Sequence, residues 1–578
     1  MKKKVFFILA IFSLHLNVFA IDSSLNIQCP NSEPLYEMRA VWLTTIGGRD
    51  WPHSYSQSKY SMQKQKQELC VILDNLSAAG INTVLLQTRI RATTIFPSET
   101  EPWDGCLSGT PGMSPGYDAL AFAIEECHKR GIKLHAWVVA LPVGNWNATG
   151  CKMLRKIVPH LLKKIGNEGF MNPEASGTAN YLARFCRDLT QRYDIDGIHL
   201  DYIRYPDAWK KKINKDKCRD NITNIVRAIH DAVKTEKPWV MLSCAPVGKY
   251  ADTKRQCSNG WNARETVCQD AALWIEDGLM DALFPMMYFV GNNFYPFAID
   301  WQERSCGKII TPGLGIYFLD RNEKDWPLKH ITQEMHVLRQ YGMGNSMFRS
   351  KFFTDNTKGL YDYTATFFSR FPSLQPAMTW YVAETPPAPQ NISVSDRKDG
   401  TLLLSWTPSA TYTKKVKTDD GKLLYNVYGA IQPNVDTKKA ENLLMAAYDG
   451  TAIVIPRGKN VKYFAVTATD RYGNESLPCQ LVSSEKSNEE IKNIPEIYGN
   501  ILADDGKYVS LEGCGVTEGQ LVSVSSIVGN ELMVRVVKRN RRNLYIDMTG
   551  TSSGHYIVHL VNRKGFRHRL GMFSREVR

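Results

Sequence analysis

Between about residues 36 and 350, short apolar runs alternate with longer amphipathic stretches, the pattern left by strands and helices that follow one another. Eight runs read as strands: Met38 to Ile46, Thr83 to Arg89, Lys133 to Val139, Gly197 to Ile203, Trp239 to Ala245, Ala282 to Phe289, Ile309 to Tyr317 and Ser346 to Phe353. Eight such repeats predict a closed β/α barrel. An open doubly wound sheet is the rival, but the spacing is regular and no Gly-x-Gly-x-x-Gly turn follows the first strand. The prolines of Thr385-Pro386-Pro387-Ala388-Pro389 impose an extended linker that no helix or central strand accepts, so a domain ends there. Beyond it the pattern is strand-rich, with a polar stretch from Ser484 to Asn493 dividing it. The expected architecture is α/β: a (β/α)8 TIM-type barrel over 35–384, then two small all-β sandwich domains over 385–483 and 494–578.

A chain of 578 residues is too long for a single core, and 43% hydrophobic with 22% charged residues is the composition of a globular protein. The first twenty residues change the picture of where it works. A basic start, an apolar run from Val5 to Phe12 and small-residue spacing at Val18-Phe19-Ala20 predict a signal peptide over 1–20, hence export to the periplasm or cell surface. That run falls short of the ~20 residues a membrane helix needs, so no transmembrane segment is expected. Export permits disulfides, but thirteen cysteines leave at least one thiol without an intramolecular partner. Cys127 and Cys186 read as small apolar fillers of helices. From Arg535 to the end there are 11 basic and 2 acidic residues. A solvated hairpin face is the favoured explanation, with contact to an anionic envelope surface as the alternative. Nucleic acid is not an expected partner outside the cell interior.

In a parallel barrel the chemistry gathers at the C-terminal ends of the strands. On the fourth, alternation turns His199 and Asp201 toward the axis and Ile198 and Leu200 outward, which places Asp201 at the mouth. Tyr202, Arg204 and Tyr205 surround it. Trp42 on the first strand, Gln87 and Arg89 on the second, and His135 and Trp137 on the third supply aromatic faces and planar polar groups, a combination that suits sugar rings and their hydroxyls. These residues, with His199, Arg204, Tyr205 and Tyr288, are the expected substrate-binding set. Glycoside hydrolysis normally needs two carboxyl groups. Asp201 is the principal candidate, Glu101 and Asp50 are the preferred partners, and Asp320 is a further one. Glu101 is favoured because the neighbouring Pro102-Trp103 can desolvate it, as a general acid requires. The Gly-x-Ser-x-Gly match at Gly112 to Gly116 fails as a serine-hydrolase elbow, since Pro115 has no N–H for an oxyanion. With no zinc-type, phosphate or calcium motif present, no metal and no cofactor are expected.

Several segments carry a resemblance. Glu37-Met38-Arg39-Ala40-Val41-Trp42-Leu43-Thr44-Thr45, Glu101-Pro102-Trp103, Pro115-Gly116-Tyr117-Asp118, His128-Lys129-Arg130-Gly131, Leu134-His135-Ala136-Trp137 and Asp196-Gly197-Ile198-His199-Leu200-Asp201-Tyr202 resemble the glycosyl-hydrolase-like ten family of exported bacterial proteins. The resemblance implies a β/α barrel and glycosidase activity, with peptidoglycan glycan cleavage associated with some relatives. Where the family often has Arg-Pro-x-Gly-Asp and Asn-Pro turns, this chain has Arg91-Ala92-Thr93-Thr94 and Ala140-Leu141-Pro142-Val143. The fourth-strand segment also looks like the Asp-Gly-x-Asp-x-Asp-x-Glu of family-eighteen chitinases, but Ile203 stands in place of their acid glutamate, which excludes an ordinary chitinase. Met286-Met287-Tyr288 is similar to their Met-x-Tyr, whose tyrosine positions an N-acetyl group, and this favours an acetamido sugar. After the linker, Leu402 to Trp406, Tyr425 to Tyr428 and Tyr463 to Asp470 resemble a fibronectin type III sandwich. The expected function is an exported glycoside hydrolase acting on a polysaccharide, with an N-acetylhexosamine-containing envelope or peptidoglycan glycan in view. The alternative is a non-catalytic glycan-binding or scaffold protein on a degenerate barrel. The two C-terminal units are expected to fold separately beyond the linker and to position or anchor the barrel.

Overall fold

The computed structural model describes residues 33–209, 213–258, 260–409, 421–456 and 461–480, and in the C-terminal part 508–511, 521–526, 531–538, 544–549, 551, 554–561 and 567–575. The leader at 1–20 and the basic run beyond Lys538 lie outside the described residues.

Eight parallel strands close on themselves: β1 (Arg39–Leu43), β2 (Thr83–Ile90), β3 (Lys133–Val139), β4 (Gly197–Asp201), β5 (Met241–Cys244), β6 (Ala282–Leu283 and Met286–Met287), β7 (Ile309–Ile310 and Gly313–Leu314) and β8 (Asn345–Met347). Each pairs with the next, and β8 returns to β1 through Arg39↔Asn345 and Val41↔Met347. The seam that an open sheet would leave is therefore hydrogen-bonded. β6 and β7 are each split in two where Pro285 and Pro312 lack the N–H a ladder needs. Three expected strands also run too far. The chain turns out of β4 at Tyr202, in the left-handed region at φ 50, Ile316–Leu319 winds into a 3-10 turn, and Ser350–Thr354 is helical.

Long amphipathic helices cover the ring, among them α1 (Lys59–Ala78), α2 (Ala119–His128), α3 (Ser176–Arg192) and α4 (Lys215–Glu236). Ser58 and Ser61 form a capping box on α1, while Asp118 and Asn214 cap α2 and α4, each satisfying amide donors that the first turn leaves free. Cys127 and Cys186 are buried on helix faces as apolar fillers, and all eleven cysteines among the described residues are free thiols. No helix among the described residues is long and apolar enough to cross a membrane.

The barrel interior is filled in layers set by register. His135 pairs with Gly197, Trp137 with His199, and Val139 with Asp201, so the three layers rise toward the mouth. Glycine makes room for two of the rings. A Cβ at Gly197 would come 2.7 Å from the His135 ring, and one at Gly313 would come 2.8 Å from the Trp42 indole.

After the linker, β9 (Gln390–Asp396), β10 (Thr401–Thr407) and β13 (Ala452–Pro456) form one antiparallel sheet. It faces a four-stranded one ordered β12 (Leu443–Tyr448), β11 (Leu424–Ala430), β14 (Tyr463–Thr469), β15 (Cys479–Gln480). Trp406 packs edge-on to Tyr425 in the core between them. This unit is not free of the barrel. Its loop after β14 docks under the strands' N-terminal ends, where Arg471 pairs with Asp194 and lies over the Trp239 ring. The Tyr472 ring joins the barrel's own core, and Asn474 donates to the Val382 carbonyl at 2.9 Å. The prolines set the linker's course, and these buried contacts join the sandwich to the barrel. A six-stranded antiparallel sheet follows, from β16 (Tyr508–Ser510) to β21 (Arg567–Arg575), with Val509, Val522, Val524, Val536, Ile546 and Val558 in its core.

Candidate active site

Asp201 closes β4 at the barrel's C-terminal end. The left-handed turn at Tyr202 folds that residue's N–H back onto Asp201 Oδ1 at 2.7 Å, and the Trp137 indole N–H donates to Oδ2 at 3.1 Å. Both oxygens are therefore oriented by neighbours on the same two strands. Burial penalises the charged form and wins over these donors and over the Arg204 charge, which pushes the Asp201 carboxyl up to about 6. Around neutrality this carboxyl can lend or take a proton, the requirement for a general acid.

Below it lies a polar chain. Trp42 Nε1–H donates to His199 Nε2 at 3.1 Å, so the hydrogen of the neutral ring sits on Nδ1, which faces Ser243 Oγ at 3.0 Å. Burial drives the His199 pKa well below its usual range, which keeps the ring neutral. Trp42, His199 and Trp137 accordingly form the floor under Asp201, and the floor has no charge of its own. Ser243 is a member that pattern reading missed; its signal was a hydroxyl inside an otherwise apolar strand.

At the rim, Tyr288 packs at 5.2 Å against Phe348 and at 5.8 Å against Tyr317. Burial, and then the Asp201 charge, raise its phenol well above the usual value, so it stays protonated as a hydrogen-bond donor. Tyr317 stacks in turn on Phe318, and Phe318 on Trp326. These rings extend the wall beyond the set expected from the sequence. Their signal was the run of aromatics after β7. On the other side Arg204 lies 4.6 Å over the ring of Tyr202, and its Nη1 binds Asp207 at 2.8 Å.

Other expected site residues have different duties. Glu101 is clamped by Arg89 through bonds of 2.6, 2.8 and 3.0 Å and receives the Tyr181 hydroxyl at 2.9 Å. Arg89 also donates to the Val139 and Ala140 carbonyls and is fully buried. The pair is a strut binding the end of β2 to the end of β3, and Arg89 offers nothing to a substrate. Asp50 accepts the Thr44 N–H and hydroxyl, both at 2.8 Å, and the Lys351 N–H at 3.1 Å, and it pairs with Arg349. It locks the β8–β1 seam. Gln87 Oε1 accepts the N–H groups of Thr45 and Ile46 at 3.1 and 2.9 Å, holding the loop after β1. His135 lies in the bottom layer, fully buried, two layers beneath the mouth, and burial lowers its pKa to about 4. Tyr205 points into the core against Trp209. Asp320 accepts from Asn322 in a local turn. Asp201, Trp137, Arg204 and Tyr288, with Trp42 and His199 beneath, are thus brought together, and Glu101, Asp50, Gln87, Arg89, His135 and Tyr205 are not.

The mouth of this closed β/α barrel holds a carboxyl oriented by the Trp137 indole and the Tyr202 N–H, and the comparisons support a glycan-acting hydrolase fold. Residues 37–217 and 206–318 match the model of the family described as glycosyl hydrolase-like 10, which supports membership of that family. The glycosyl hydrolase YngK of Bacillus subtilis is 28% identical over 487 residues, covering 77% of this chain and 93% of the relative. The glycosyl hydrolase DigH of Escherichia coli K12 is 26% identical over 287 residues, 44% of this chain, and the match spans 65% of the relative's length. Among solved structures, α-L-fucosidase isoenzyme 2 from Paenibacillus thiaminolyticus aligns with 13% identity and a TM-score of 0.39, over 58% of this chain and 49% of that one.

Proposed function

We propose that this protein is an exported glycoside hydrolase that cleaves an N-acetylhexosamine-containing envelope glycan, with Asp201 as its general acid. The observation that carries this is Asp201 itself, a mouth carboxyl pushed up to about 6 by burial and aimed by the Trp137 and Tyr202 N–H groups. Glu101 and Asp50 are both engaged in buried ion pairs, so neither is offered to a sugar as the second carboxylate. A 2-acetamido substituent on the substrate fills the gap. Its carbonyl oxygen attacks C1 as Asp201 passes its proton to the glycosidic oxygen and the C1–O bond breaks. Asp201, now a carboxylate, takes a proton from the water that opens the resulting ring. The protonated Tyr288 hydroxyl serves in this reading as the donor to the acetamido group.

The three- and four-stranded sandwich is read as a fibronectin type III-like domain, a reading supported by the packing of Trp406 on Tyr425 in its core, and the basic C-terminal region suits contact with an anionic envelope surface. The consumed state of Glu101 and Asp50 equally favours a second reading, a barrel that binds glycan without cutting it. Incubating the whole chain with peptidoglycan strands and acetamido polysaccharides separates the two. New reducing ends support hydrolysis; retention on the polymer with no new ends supports the binder.

A further inference from the structure

We propose that Arg204 is the receptor for a carboxylate on the sugar bound at Asp201, so that the glycan recognised is an acidic one. The inference rests on the reading above only in placing a sugar beside Asp201. Arg204 is 6% exposed, yet its guanidinium lies over the Tyr202 ring at 4.6 Å and 5.9 Å from the Trp261 ring, which are 41% and 48% exposed. It is a buried cation under a wall open to solvent. Its protein partner is Asp207 on Nη1, itself half exposed, and its Nε–H is buried with no partner. A guanidinium keeps its proton at any working pH, so an unfilled buried donor costs free energy until an oxyanion occupies it. A planar carboxylate matches that edge.

A second observation points the same way. The chain leaves the mouth end of β3 into an excursion, Pro142 to Met171, which carries Lys152, Arg155, Lys156, Lys163 and Lys164 against the single carboxylate of Glu168. Lys163 sits 4.0 Å over the ring of Trp209, five residues beyond Arg204, so this positive flank is continuous with the Arg204 loop. The carboxylates of Glu174, which accepts from the Trp209 indole at 3.2 Å, and Asp207 lie there too, so the excursion adds a net positive excess beside the loop that would draw in an anionic chain. The two features also cooperate with the chemistry. The field of Arg204 favours ionised Asp201, against the effect of burial. A substrate carboxylate seated on Arg204 cancels that field and leaves burial to keep the acid protonated, so recognition of the acidic sugar and retention of the proton are coupled.

The test uses the full chain, titrated by tryptophan fluorescence with peptide-free peptidoglycan strands, whose sugars bear carboxylates, and with the same strands after reduction of those carboxylates to alcohols. The native chain is expected to bind the carboxylated form about 30-fold more tightly, the ~2 kcal/mol of one charged hydrogen-bonded contact. In Arg204→Gln that ratio should fall below about threefold, and Arg204→Lys should restore part of it; should Arg204→Gln fail to fold, the native ratio and the Lys variant decide. In cleavage, the pH at which the rate falls on the alkaline side should lie higher for the carboxylated strands than for the reduced ones. Equal affinities in the native chain, no binding of either form, or a ratio unchanged in Arg204→Gln would each overturn the assignment. Carboxylate-dependent binding with no new reducing ends would leave it standing and overturn the hydrolase reading instead.

Discussion

Replacing Glu101 by Gln separates a strut from a catalyst. The substitution keeps the shape and some hydrogen bonding but removes the negative charge from Arg89, a fully buried guanidinium. Arg89 retains the carbonyls of Val139 and Ala140, which are dipoles and not countercharges. Breaking one side of a buried pair typically costs about 3–5 kcal/mol, because the surviving charge is left uncompensated in a dry site. For a domain of this size each kcal/mol moves the thermal midpoint by about 2 °C, so Glu101→Gln should lower the barrel's transition by about 6–10 °C. Arg89→Met with Glu101→Leu should recover much of that loss, since a pair replaced by apolar groups leaves no stranded charge. Scanning calorimetry gives the midpoints, and release of reducing ends below the transition gives the turnover. The strut account expects instability with turnover within a few-fold of the parent. A Glu101→Gln chain as stable as the parent but inactive would refute it and return Glu101 to the chemistry.

Three further outcomes follow from the same physics. Asp201 has a folded pKa raised to about 6 against an unfolded value near 3.9, so the stability linked to it is fully present below about pH 4 and is lost as pH rises through 6. Asp201→Asn should therefore be more stable than the parent at pH 7.5, by up to ~3 kcal/mol, with the advantage gone at pH 4 in paired melting curves. Glu334 on the outer helix Leu328–Gln340 is 1% exposed with both carboxyl oxygens unpartnered, and burial raises its pKa well above the usual value. Glu334→Leu should stabilise by about 1–3 kcal/mol at neutral pH and by more at pH 9, where the parent is driven toward the ionised form; denaturant midpoints at the two pH values check this. A chain ending at Thr385 should lose barrel stability, because it uncovers the surface under Arg471 and Tyr472, and Arg471→Met should reproduce a part of the loss in calorimetry.

The alternation of the chain was enough to show the barrel, and strand parity was enough to turn His199 and Asp201 inward, because both follow from local spacing. Height along the axis was not, since it depends on register: His135 has the right parity, but its pairing with Gly197 drops it to the bottom layer. Ownership of the acids was hidden for a similar reason. Glu101 is taken by an arginine 12 residues away, and Asp50 by one 299 residues away, and no one-dimensional pattern displays that second pairing. The docking of the sandwich on the barrel was not legible because composition describes the linker and says nothing about the surfaces it joins; Arg471 meets Asp194 across 277 residues. The aromatic wall of Tyr317, Phe318 and Trp326 was visible as composition, and only the 3-10 turn that follows β7 brings it to the rim.

The central claim is that Asp201 donates the proton that lets the leaving sugar depart, and leaving-group dependence tests it most directly. Turnover by the parent and by Asp201→Asn should be compared on the native glycan and on an aryl glycoside whose dinitrophenolate needs no protonation. The account predicts a loss of about 10²–10⁴-fold on the glycan, the usual contribution of a general acid, and less than about tenfold on the activated glycoside. Undiminished cleavage of the glycan by Asp201→Asn, or equal losses on both substrates, would contradict it.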